Sequence, residues 1–238
     1  MSAKSIRAIV PTIVTNSPMI DIHTHVLPGL DDGARDIADA IRTLQALADQ
    51  GVRTVVCTPH FSLRRYPEAS DAAGFFERRD QALDCLAHEV SRRNLDIRLL
   101  PGLEIELCAD LPSFLGGRMR PYCCLGSSDL VLVEISRFNV EKMSGFEALL
   151  YELNALDLLP VLAHPERTMA CDGLFSAADR RRVLDTLTDW VEQERVLLQI
   201  NADSVVSGAR PPLIVGGRGD DRRRLTRILL DQDLVAFV

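Results

Sequence analysis

The feature that most restricts the fold is an alternation. Short apolar runs at about 19–23, 53–57, 97–105, 130–135, 159–163, 196–201 and 234–238 are separated by longer amphipathic stretches. In 34–50, Ile37, Ile41, Leu44 and Leu47 fall on one helical face, and Gly51 is placed to end the helix. The stretch 67–94 is long and charged, and 143–157 carries Phe146, Leu149, Leu150, Leu153 and Leu156. Two further helices are expected at 176–194 and about 218–232. Seven strands separated by helices predict an α/β fold with parallel strands, closed as a βα-barrel rather than left open. At 238 residues the chain suits one domain of this kind. Residues 1–18 read as a loose N-terminal extension ahead of a single barrel domain spanning 19–238. The Pro/Gly-rich segment 208–219 reads as a surface loop, because the alternation continues past it.

Five of the runs end on residues that bind metals. The first closes on Asp21-Ile22-His23-Thr24-His25, the second on Thr58-Pro59-His60 and the fifth on His164-Pro165-Glu166-Arg167. The third and fourth finish on Leu103-Glu104-Ile105 and Val131-Leu132-Val133-Glu134. Side chains two apart on an extended segment share a face, so His23 and His25 can clasp one ion. Asp21 reads as a carboxylate that orients a ligating imidazole. Asp31-Asp32-Gly33 has two readings, a helix N-cap or a ligand contributed from beside His25. Pro59 breaks the second strand and aims His60. A carboxylate left unpaired in a core costs several kcal/mol, so Glu104 and Glu134 are read as ligands, with Glu106 a candidate to replace Glu104. His164 is a further ligand, and Arg167 can clamp phosphate oxygens with its planar fork. His88, the fifth histidine, has only a solvent-facing helical context. The mixed nitrogen and oxygen set, without thiolate, favours manganese, iron or zinc and suits phosphoester hydrolysis.

Composition removes other classes. The net charge of −7 argues against nucleic-acid binding. No GxGxxG or P-loop follows a strand, and the six cysteines show no C-x-x-C spacing. Nothing reads as a signal peptide or membrane span, which points to the cytoplasm and no membrane insertion.

Taken in order, D-x-H-x-H, D-D-G, T-P-H, G-x-E-I, L-x-E, A-H-P-E-R and Q-I-N-A-x-S make this chain resemble the polymerase and histidinol phosphatase (PHP) superfamily. Within it the chain is most similar to the bacterial metal-dependent protein-tyrosine phosphatases of the CpsB/YwqE type, which act in capsular and exopolysaccharide systems. The resemblance implies a distorted (β/α)7 barrel of the PHP (TIM-like) type with a three-metal site, usually manganese-dependent. It implies that His23, His25 and Glu104 hold a first ion, with Glu104 bridging to a second completed by Glu134 and His164. Asp32 and His60 would belong to a third, and Arg167 would grip phosphate. The substrate it implies is phosphotyrosine on a partner tyrosine kinase of polysaccharide export.

Members of the family end strand seven with an A-S-D-A-H-like string, whereas this sequence stops at Leu234-Val235-Ala236-Phe237-Val238. The expectation is of a truncated form that binds fewer metals, or binds them loosely, and turns over slowly. Two alternatives accompany the phosphatase reading. One is a small phosphomonoesterase of the histidinol-phosphatase kind, the other an inactive subunit that binds metal or phosphotyrosine. Arg64, Arg65 and Tyr66 are either part of a substrate rim or a solvated loop.

Overall fold

The computed structural model describes residues 18–67, 69–136, 143–169, 176–205, 229–230 and 235–237. The expected extension 1–18, except its last residue, the loop 208–219 and most of the helix at 218–232 lie outside these residues. The apolar runs form strands β1 (Met19–Thr24), β2 (Val52–Cys57), β3 (His60–Phe61), β4 (Arg98–Pro101), β5 (Glu104–Glu106), β6 (Leu130–Glu134), β7 (Leu159–Ala163), β8 (Leu197–Gln199) and β9 (Val235–Phe237). Only Thr58 and Pro59 separate β2 from β3, and only Gly102 and Leu103 separate β4 from β5. The two interrupted runs therefore count once each, which returns the seven strands read from sequence.

All pairings are parallel, in one sheet of order β1-β2-β4 and another of order β3-β5-β6-β7-β8-β9. Among the described residues no ladder joins β9 to β1. Parallel strands need crossovers, and helices α1 (Ile37–Asp49), α2 (Ala69–Arg92), α5 (Met143–Ala155) and α7 (Ala177–Glu192) supply them where expected. Four short helices went unread in the sequence: α3 (Leu111–Leu115), α4 (Arg120–Cys123), α6 (Pro165–Met169) and α8 (Ala202–Val205). Each has too few residues to show a period. No described helix is long and apolar enough to cross a membrane.

The central strands β6 and β7 are buried on both faces, as an all-parallel sheet favours, whereas β1 begins exposed at Met19 and Ile20. On β6 and β7, Val131, Val133 and Leu162 pack outward with Leu150, Leu153, Leu187 and Trp190 of the helices. The opposite face gathers Ile22, Val56, Leu100, Leu130, Leu132, Val161, Ala163 and Leu197 into one cluster. Side chains of six strands thus meet in a single inner core. Strand periodicity places Glu134 on the same face as Leu130 and Leu132, at the C-terminal end of that core.

The helix-to-strand turns share one device. Beyond α1, α2, α5 and α7 stand Gly51, Asn94, Asp157 and Glu194, with φ of 93°, 52°, 55° and 56°. Backbone bonds then close three of these helices in the Schellman pattern: Leu95 N to Val90 O, Leu158 N to Leu153 O and Arg195 N to Trp190 O, at 3.1, 3.2 and 2.9 Å. Gly51 ends the first helix as its sequence position suggests.

Candidate metal centre at the strand C-termini

Glu104 is the hub. It opens β5, is 1% exposed, and four imidazoles reach its two carboxylate oxygens. His164 Nε2 lies 2.8 Å from Oε1. His60 Nδ1, His25 Nε2 and His23 Nε2 lie 2.9, 3.1 and 3.2 Å from Oε2. Burial alone would raise this carboxyl, but the four imidazoles of His164, His23, His25 and His60 held against it outweigh burial and keep the group well below the usual carboxylate range.

Local structure explains how the four rings arrive. The β1–β2 register slips between Asp21 and Thr24, so a bulge re-aims the strand where His23 stands. Thr58 ties the ends of β1 and β2 together: its N donates to Thr24 O, and its hydroxyl accepts from Thr24 N, each at 2.9 Å. His25 is pressed against the following loop, because Ala34 N donates to His25 O at 2.9 Å. A Cβ on Gly33 would fall 2.1 Å from that same oxygen, so only glycine lets the loop approach. His164 has φ of 30°, a left-handed conformation costly for a branched side chain, in the turn between β7 and α6. Of the four described non-glycine residues with positive φ, His164 alone sits at the cluster.

Partners behind the rings fix which nitrogen faces the centre. Gln199 Oε1 lies 3.0 Å from His23 Nδ1 and 3.3 Å from His164 N, while its Nε2 donates to Ile200 O and Asn201 Oδ1. That orientation puts a proton on His23 Nδ1 and leaves the Nε2 lone pair turned to Glu104. Asp31 Oδ2 holds His25 in turn, 2.6 Å from Nδ1, so that Nε2 faces Glu104, and it also accepts from His60 N. Burial would lower the His25 pKa, but the hydrogen bonds to Asp31 and Glu104 raise it to about 10. His60 is raised by its hydrogen bond to Glu104. Burial lowers His164.

Two readings of nearby carboxylates change. Asp21 does not orient an imidazole: its Oδ1 accepts from the backbone N of His23 at 3.0 Å, and Gln199 takes the ring. Asp31 is not the cap of α1, a role filled by Asp36, whose side chain accepts from Asp39 N at 2.8 Å. Spacing had suggested Asp31-Asp32 as a cap because the helix start was read three residues early.

All seven residues read as ligands come together. Three sets have one ligand atom per residue within 4.8 Å of one another: His23, Glu104 and His164; His60, Glu104 and Glu134; His25, Asp32 and His60. Glu104 and His60 each belong to two sets, so the sets form one chain of sites. His164 groups with His23 and Glu104 rather than with Glu134. Glu106 does not replace Glu104, since it accepts from Ser62 and Ser136 hydroxyls at 2.6 and 3.0 Å and lies 3.6 Å from Arg64. His88 is exposed on α2.

The donor set fits cations. Glu104 Oε2 is buried and accepts no well-formed hydrogen bond, although three ring nitrogens converge on it. Ring nitrogens converging on one carboxylate oxygen are a donor set that a cation would share, displacing the extra proton that His25 otherwise holds. Arg167 is half-buried in α6, its N donates to His164 O at 3.0 Å, and its charge helps lower the His164 pKa. Glu166, fully buried, accepts from Asn201 N and Ser204 Oγ at 3.1 and 2.9 Å and so locks α6 to α8. Beside the cluster opens a pocket of about 190 Å3, lined by His60, Phe61, Ser62, Arg65, Glu106, Glu134 and Ser136.

Comparison with known proteins places this geometry. Over 149 residues the chain is 34% identical to the tyrosine-protein phosphatase YwqE of Bacillus subtilis, covering 63% of this chain and 55% of that protein. It is 29% identical over 224 residues to the tyrosine-protein phosphatase CpsB of Streptococcus pneumoniae, covering 92% of this chain and 81% of CpsB. The match to YwqE thus spans little more than half of that protein. A solved structure from a study of YwqE and CpsB, described there as metal-dependent tyrosine phosphatases, superposes with a TM-score of 0.68 at 27% identity. That superposition covers 91% of this chain and 76% of the solved one. The family model for capsular polysaccharide synthesis, CpsB/CapC, matches residues 19–238, and the chain belongs to the CpsB/CapC family.

Proposed function

We propose that this protein is a metal-dependent phosphatase that hydrolyses phosphotyrosine on a partner tyrosine kinase of capsular or exopolysaccharide synthesis, in the cytoplasm. The observation that carries the reading is the convergence of four imidazoles on the buried carboxylate of Glu104, with Asp32 and Glu134 completing three overlapping sets. The tyrosine phosphatases among its relatives supply the substrate class.

The ligands in this reading are His23, His25, Asp32, His60, Glu104, Glu134 and His164, holding up to three ions. Manganese is the metal we favour, since oxygen and imidazole donors without thiolate suit it. The scaffold we infer is a distorted (β/α)7 barrel, supported by the inner core that draws on six strands and by the site's position at strand C-termini.

The chain's own groups divide the work. Gln199 and Asp31 hold His23 and His25 with Nε2 facing inward. Arg167, beside His164, takes phosphoryl oxygens in its planar fork. Glu104 lies among the rings as the shared anion that keeps several positive charges compatible in one small volume. Divalent ions bound there would supply charge neutralisation at the phosphoryl group and activation of solvent. The pocket beside His60 and Glu134 receives the organic part of the ester.

The test is elemental analysis of purified protein together with phosphate release from a phosphotyrosine peptide in Mn2+ and after chelation. Bound transition metal and chelator-sensitive release are expected. Metal at background levels with no phosphate release would sink the reading.

A further inference from the structure

We propose that Arg65 makes the site selective for aryl over alkyl phosphates, by stacking its guanidinium on a substrate ring held in the pocket beside His60 and Glu134. The proposal rests on the phosphatase reading and names what the pocket recognises.

The rim that presents Arg65 is built rigidly. Arg65 N and Tyr66 N both donate to Ser62 O, at 3.0 and 3.1 Å. The Ser62 hydroxyl donates to Glu106 at 2.6 Å and accepts from Arg64 N at 3.3 Å. The Tyr66 ring lies parallel to buried Phe61, with centroids 5.5 Å apart and planes 6° apart, and packs on Phe75 at 5.1 Å. Within this frame Arg64 takes Glu106, whereas no carboxylate among the described residues pairs with Arg65. Its guanidinium carbon stands 5.8 Å from the Tyr66 ring centroid. Exposed on a hydrogen-bonded loop and lining the pocket, with an aromatic face as its partner among the described residues, this cation is available to a ligand.

The remaining walls say which ligand. His60 and Glu134 belong to the candidate cation sites, whereas Glu106 is a carboxylate held by serine hydroxyls, so a phosphate dianion would be drawn to the cation end of the pocket and repelled from the Glu106 end. The pocket away from the cation sites is therefore for the neutral part of the ester. At about 190 Å3 it accepts a six-membered ring, since a cavity of about 150 Å3 takes benzene. An aromatic ring carries negative faces and a positive edge. Arg65 suits the faces, while Glu106 and the serine oxygens it anchors suit the edge. An alkyl phosphate offers neither feature.

The experiment measures binding of phenylphosphonate and propylphosphonate by calorimetry in Mn2+ buffer, for the wild type, Arg65→Ala and Arg65→Lys. The wild type is expected to prefer the phenyl ligand by about two- to fivefold, the range a cation–π contact from an exposed arginine supports. Both variants should lose that preference while keeping the propyl affinity, since a lysine retains the charge without the stacking plane. Four results would overturn the proposal: no wild-type preference, a preference retained by the alanine variant, full retention by lysine, or equal weakening of both ligands. Phosphate release from a phosphotyrosine peptide by the wild type is followed in parallel. Its absence with the phenyl preference intact would remove the phosphatase reading and leave the ring pocket standing.

Discussion

The two ends of the strands solve opposite problems with the same backbone tools. At the helix-to-strand end, Asn94, Asp157 and Glu194 adopt left-handed conformations, and backbone bonds stop each helix before the next strand begins. There the unusual dihedral satisfies orphan carbonyls. At the strand-to-helix end, His164 adopts a left-handed conformation too, but its ring is buried against Glu104 and its Nδ1 has no hydrogen-bond partner among the described residues. The strain there serves placement of a ring nitrogen. One end of the molecule is arranged for stability, the other concentrates like-charged and strained groups that a cation would reconcile. Parallel α/β folds divide stability and function between their ends in this way.

The hardest blow to that division is Glu104→Gln. The amide keeps the shape and removes the anion that four imidazoles share. Metal content should fall and phosphotyrosine hydrolysis should drop at least about a thousandfold, about 4 kcal/mol of transition-state stabilisation. Circular dichroism should show the helices and strands intact, because the helix-to-strand turns are untouched. Retained metal content and turnover would mean that the hub is a structural ion cluster.

A smaller effect separates ligands from the groups behind them. Gln199→Leu leaves all seven ligand side chains in place and removes the acceptor that fixes the tautomer of His23 and the backbone N of His164. Metal affinity should fall by about 10- to 100-fold, the cost typical of losing such a supporting hydrogen bond. Gln199→Glu, which still offers an acceptor to Nδ1, should recover part of it. If the leucine variant binds metal as the wild type does, the ring orientations are set by packing alone.

Gln199 also marks where sequence reading runs out. Six of the seven candidate ligands are legible because each stands at the end of an apolar run, where a histidine or carboxylate contradicts its surroundings, whereas Asp32 is suggested by its place beside His25 and by the family resemblance. The strands and long helices were legible from periodicity, which parallel strands buried on both faces and amphipathic crossovers express strongly. Gln199 ends a run as well, but a neutral amide carries no charge conflict and so no signal. Asp31 was visible, yet a cap and a carboxylate behind a histidine look alike until the helix start is known. Asp21 reads as an imidazole partner because carboxylates commonly stand behind ligating histidines, and only the fold shows that it takes the His23 backbone N instead. Arg65 reads from sequence as either substrate rim or solvated loop, and the pocket that bears on the choice depends on Glu106 and Ser136, distant in sequence.

The gentlest test acts at the other end. Glu194 is exposed beyond α7, with φ of 56° and its N donating to Val191 O at 2.9 Å. An L-residue in this region costs about 1–2 kcal/mol that glycine avoids, although glycine gives back about 0.5–1 kcal/mol through its freer unfolded chain. Glu194→Gly should therefore stabilise the protein by up to about 1 kcal/mol, raising Tm by about 2–4 °C. Asn94→Gly should gain less, because asparagine tolerates the conformation. Neither change should alter metal content or turnover. His164→Gly would relieve the same kind of backbone strain at the site end and yet lose both, since what the left-handed turn secures there is the ring. A thermal melt of Glu194→Gly beside a metal assay of His164→Gly places the same substitution at both ends. A Glu194→Gly variant that melts lower, or loses metal, would show that the turns and the cluster are one cooperative structure rather than two independent ends.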